Sequence, residues 1–150
     1  MFKLYNFIER KIKMTEELQS VVEFDTDISA AEQPQPLPAG IYEGTIAGAQ
    51  VKMSKSNNRY AAVSITIPAE QYPADYTDGN AAGTTLAYNR LVLENTPQAK
   101  WQLKNFCQKI GASMSNRIDV SEWLGLTVKV EVTNEMYEGV MRANIARLVD

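Results

Sequence analysis

The chain has 150 residues, 45% of them hydrophobic, with a net charge of −3, one cysteine and no histidine, which suits one ordinary domain able to bury a real core. Cys107 alone excludes an internal disulfide and suits a reducing compartment; with histidine absent, a zinc site of the usual nitrogen and sulfur ligands has at most this one donor and is not expected, and only a carboxylate-only magnesium site stays formally open. No run of 18 or more apolar residues occurs, so no membrane-spanning helix is expected.

The charge is unevenly divided. Residues 1–13 carry +3, residues 14–39 carry −6, and from Gly40 onward 11 basic and 11 acidic residues cancel. The acidity therefore belongs to the N-terminal arm, and a basic face on the body is compatible with the low isoelectric point.

In chain order, residues 1–13 read as a short basic amphipathic helix with Phe2, Tyr5, Ile8 and Ile12 on one side. They read equally as an upstream extension, since Met14-Thr-Glu-Glu begins like a natural start. From Thr15 to Ala39 the chain is acidic and then punctuated by Pro34, Pro36 and Pro38, which favours an extended linker. The expected division is thus a flexible, disordered arm over 1–37 and a folded domain over 38–150.

Ile41–Met53 reads as a first strand whose alternation changes phase around Gly44 and Gly48, as at a bulge or barrel corner. Ser54–Arg59 is a polar, cationic turn in which paired asparagines tolerate positive φ. In the second strand Ala61, Val63, Ile65 and Ile67 point one way and Tyr60, Ala62, Ser64 and Thr66 the other. Pro68–Gly83 reads as a long loop without secondary structure and Thr84–Leu93 as a third strand. Thr96-Pro97 opens a helix, with the stripe Ala99, Leu103, Phe106, Cys107 and Ile110, and Gly111 ends it. Asp119–Gly125 suggests one short helical turn. Leu126–Thr133 alternates strictly, Asn134–Gly139 is expected to turn the chain, and Val140–Val149 is the last strand.

Five strands with one helix between the third and fourth is the plan of an OB-fold-like barrel, partly open, in an otherwise all-β protein. The residues G-x-Y-x-G-x-I at 40–46, K-x-S-K-S-x-N at 52–58, K-W-Q-L-K-N-F at 100–106 and W-L-G-L-x-V-x-V at 123–130 resemble those of phage-encoded single-stranded-DNA-binding proteins of this fold. The resemblance covers Pro38 to Val149. It implies sequence-tolerant binding of single-stranded DNA in phage replication or recombination, in the host cytoplasm, by a cationic groove with aromatic stacking. Bacterial proteins of that kind end in an acidic tail, whereas here Asp150 follows directly on a strand.

Binding of that kind needs cations along the backbone and flat side chains for bases. The candidates are Lys52, Lys55 and Arg59 beside Tyr60 at the first hairpin, Tyr88 with Arg90 on the third strand, and Lys129 and Arg142 further on, with Arg147 as another groove cation. Each has a plainer alternative: solvated charges for the cations, barrel exterior for Tyr60 and core for Tyr88. Tyr72 and Tyr76 either close over DNA or pin their loop; Trp101 and Trp123 are assigned to packing. Neither G-x-x-x-x-G-K-S/T, G-x-G-x-x-G nor G-x-S-x-G occurs, and Asp75 and Asp78 flank Thr77 at a spacing any polar turn produces. No enzyme activity or cofactor is therefore expected. The expected partners are single-stranded DNA, replication or recombination proteins through the acidic arm, and further copies in a homo-oligomer. The rival is a small β-barrel adaptor for a viral or host protein.

Overall fold

The computed structural model describes residues 20–150, so the helix expected over 1–13 lies outside the described residues. The chain divides into two units, one ending at Gln33 and the other running from Pro34 to Asp150. In the first, the described residues are exposed and contain one 3-10 turn, Ile28–Ala30. Asp27 caps it, its carboxylate accepting from the Ser29 amide and hydroxyl, each at 2.9 Å. Those bonds favour the ionised form and hold the Asp27 carboxyl below its ordinary range.

The second unit holds β1 (Gly40–Met53), β2 (Arg59–Ile67), β3 (Thr84–Val92), α1 (Pro97–Ile110), β4 (Thr127–Tyr137) and β5 (Val140–Val149). All neighbours are antiparallel, in the order β3-β2-β1-β4-β5. β1 is the spine: residues 40–45 pair with β4 and residues 45–53 with β2. A register shift between Ile46 and Gly48 bends it at the handover. There Ile46 donates its amide to Leu126 O and accepts from the Gly125 amide, both at 2.9 Å. Gly44 needs to be small: a Cβ on it would stand 2.8 Å from the Thr66 carbonyl oxygen and 2.9 Å from Ile65 Cγ2.

A mostly β body with one helix between β3 and β4 is the OB-fold-like arrangement expected from the sequence, but the sheet does not close by a ladder. β3 and β5 approach each other, and Arg90 Nη1 donates to the Ala146 carbonyl at 2.7 Å across the seam. α1 lies against β3, β4 and β5, on both sides of that opening.

The local reasons for these elements are largely those in the sequence. Ala61, Val63, Ile65 and Ile67 are buried and their alternating neighbours are not. Thr96 Oγ1 accepts from the Ala99 amide at 3.2 Å, and Gly111 ends α1 with φ 74°. Phe106 brings the helix into the core between Tyr88 and Trp123, at ring-centre distances of 5.8 and 5.0 Å. Cys107 is buried beside it, and that burial pushes its thiol up from the ordinary range.

Four expectations are corrected. The body begins at Pro34 rather than at 38: Leu37 is buried in the core, its carbonyl accepts from Asn134 Nδ2 at 2.8 Å, and the Gln35 amide donates to Asp78 at 2.6 Å. β4 runs on to Tyr137, and only Glu138 and Gly139 turn the chain, with φ 50° and 79° as a tight hairpin requires. Residues 134–137 leave the core's edge, so their pairing with β5 carries no hydrophobic alternation. The loop after β2 contains a 3-10 turn, Ala69–Gln71, and is pinned by its tyrosines. Tyr72 and Tyr76 meet edge to face at 5.1 Å, and the Tyr72 hydroxyl donates to Asn80 O at 2.9 Å. Finally, Trp123 is buried but Trp101 is 59% exposed, because position 101 falls off the α1 stripe.

Candidate nucleic-acid interface

The β1–β2 hairpin is held by a five-residue turn in which the Ser54 amide donates to Asn58 O at 2.8 Å and Asn57 adopts φ 65°. The turn leaves Lys55 exposed. Beneath it lies a groove of about 640 Å³ lined by Lys55, Arg59 and Tyr60 together with Ser54, Asn58, Asn89 and Val92. Register explains the company: Tyr60 stands opposite Lys52 on one side and Val92 on the other, and directly opposed residues of an antiparallel pair share a face.

That face continues as a shallow trough of about 330 Å³ along β1, β2 and β3. Gly48, Ala62, Ser64 and Ala87 are among its lining, with Gln50, Asn89 and Lys52. Asn89 borders both hollows, so they form one path. Small side chains on the outer face of the sheet leave space for a flat ligand, and the amides of Gln50 and Asn89 offer hydrogen bonds at its border. The sequence reading did not single out Gln50, Asn89 or this floor. The available signal was the small outward set Ala62 and Ser64 on β2.

The cations differ in their freedom. Glu94 accepts from the Arg59 amide at 2.7 Å and lies 3.7 Å from its Nε, so Arg59 is partly neutralised. Among the described residues neither Lys52 nor Lys55 forms an ion pair within 4.0 Å.

Tyr88 and Arg90 belong to a different cleft. A register shift in β3 turns Tyr88 and Leu91 inward, and Tyr88 stacks on Phe106 with 15° between the rings. Arg90 lies 5.6 Å from the centre of the Tyr88 ring. With Gln102, Asn105, Lys109 and Arg147 they border a cleft of about 420 Å³ between β3, α1 and β5. Its cations are engaged: Lys109 with Asp150 at 3.7 Å, Arg147 with Glu131 at 2.6 Å, and Arg90 with the Ala146 carbonyl.

Lys129 and Arg142 line neither hollow. Lys129 is exposed on β4 opposite Glu43 of β1, and Arg142 on β5 lies 4.9 Å over the Tyr137 ring. The structure thus gathers Lys52, Lys55, Arg59 and Tyr60, sets Tyr88 and Arg90 apart from them, and leaves Lys129 and Arg142 outside both groups. Among the described residues no group of three or more Cys, Asp or Glu is placed to hold a metal ion, and no helix is long and apolar enough to cross a membrane.

Fold and site together define a small, mostly β protein with an OB-fold-like strand order and an open, cation-bordered trough on the outer face of its first three strands. By sequence the chain belongs to the family described as "Protein of unknown function (DUF669)", which it matches over residues 24–145. No curated protein gives a match to it.

Proposed function

We propose that the protein binds single-stranded DNA without strong sequence preference, as a non-catalytic component of phage replication or recombination in the host cytoplasm. The observation that carries this is the continuous path from the hairpin groove into the trough. It places Lys52, Lys55 and Arg59 beside Tyr60 on the β2–β3 face, where OB-folds take oligonucleotides. Phosphates would lie along the lysines, and a base would stack on Tyr60. Three of the body's 11 basic residues, Lys52, Lys55 and Arg59, border this path.

The test is a titration of fluorescent oligo-dT at two salt concentrations. Affinity should fall steeply with salt, because bound cations displace condensed counterions. A duplex of equal length should bind much more weakly, its bases being stacked away. Equal affinity for both forms, or none for either, rules the proposal out. A second reading, an adaptor that binds a viral or host protein, draws on one observation: Met136 and Tyr137 are more than half exposed at the β4–β5 tip. It gains ground if oligo-dT fails.

A further inference from the structure

Trp101 stands exposed on α1, outside the hollows described above. α1 sends Ala99, Phe106, Cys107 and Ile110 toward the core, and its remaining side forms a groove of about 340 Å³ with the segment that follows the helix. Leu103, Cys107, Met114 and Ile118 line this groove, and Lys100 and Lys104 border it. The Trp101 ring stands 5.7 Å from Lys104 Nζ, exposed to solvent. An apolar groove bordered by ammonium groups is complementary to a peptide that offers a large apolar side chain between carboxylates. A nucleic-acid strand fits it less well, because most of the lining is apolar.

A peptide of that chemistry exists in the same sequence. Residues 21–28 read VVEFDTDI. Val21, Val22, Phe24 and Ile28 are each at least 65% exposed, which is unusual for four large apolar residues so close together. Glu23 and Asp25 flank Phe24, while Asp27 is occupied in capping its own turn. The family match begins at Phe24 and so takes in residues 24–28 of this segment.

We propose that Phe24, with Glu23 and Asp25, docks into the α1 groove of a second copy of the chain. Lys100 and Lys104 then meet the carboxylates while the ring enters between Leu103, Met114 and Ile118. Each copy carries one plug and one socket, so the contact either closes reciprocally in a two-fold dimer or links copies head to tail. It does not depend on the DNA-binding proposal and is measurable without nucleic acid.

Sedimentation velocity of the full chain over a concentration series is the first measurement. The weight-average mass should rise with concentration. Phe24→Ala, and separately Lys100→Glu with Lys104→Glu, should each weaken association by about tenfold or more, as loss of a central anchor does. These positions are exposed or border the groove, so the melting curve of each variant should match that of the parent chain. The deciding arm mixes two charge-reversed chains, Glu23→Lys with Asp25→Lys and Lys100→Glu with Lys104→Glu. Each should be monomeric alone, and the mixture should associate again. A parent chain whose mass stays flat overturns the proposal, including the case in which the arm docks on its own body. Association indifferent to either set of variants, or reversed chains that stay monomeric when mixed, overturns it as well.

Discussion

Tyr60 and Lys55 sit a few residues apart at one hairpin but should act through different physics. Tyr60 is half-buried on the outer face, opposite Lys52 and Val92. If it stacks a base, Tyr60→Ala should weaken oligo-dT binding by about 1–3 kcal/mol, and a thermal melt should show stability changed by only about 0.5 kcal/mol. A lowered melting point with unchanged binding would make it a packing residue. Lys55→Ala should instead reduce the slope of log affinity against log salt by about 0.7, one released counterion on a single strand. Arg59→Ala should reduce it by less, because Glu94 already shares that guanidinium. A salt series on the two variants separates these outcomes. Legibility at this scale followed local spacing. The phase of Tyr60 could be read because β2 alternates without interruption. Arg90 and Arg147 could not be placed, since register shifts in β3 and β5 reset the count of faces and leave no mark in composition. Trp101 could have been placed, because it lies two residues past Ala99 and outside the stripe.

Among the elements, α1 announces itself through its caps, and β4 through the alternation of its first half. The segment 34–37 announces nothing. Its prolines read as linker, yet Leu37 between them is 1% exposed and its carbonyl is bonded to Asn134 on β4. A single apolar residue among prolines has no periodicity, so only its neighbours in space reveal it as core. Leu37→Ala should therefore destabilise the body by about 2–5 kcal/mol, the range for a buried leucine. Removal of residues 1–33 should leave the melting temperature close to that of the full chain. Calorimetry on both would decide the point, and a harmless Leu37→Ala would return the segment to the arm. The β4–β5 hairpin shows the converse. It projects beyond the core, so backbone pairing and a two-residue turn hold it where side-chain pattern no longer does.

At the scale of the whole molecule, strand order and helix position were legible because both depend only on the sequence of elements. Closure was not, because it depends on whether β3 and β5 come within ladder distance. They approach without pairing, and the Arg90 guanidinium bonds the Ala146 carbonyl across the gap. Arg90→Ala should lower stability by about 1 kcal/mol, the net value of one such bond, as chemical denaturation would register; no change at all would show that the seam needs no clasp. The seam has another consequence. Unpaired strand edges are templates on which foreign strands grow into fibrils. Here the two edges of the sheet are turned toward each other, with α1 in contact with both strands. Each edge thereby shields the other from such growth without being spent in a ladder, and a chain lacking the Arg90 clasp should be the one that seeds amyloid on prolonged incubation.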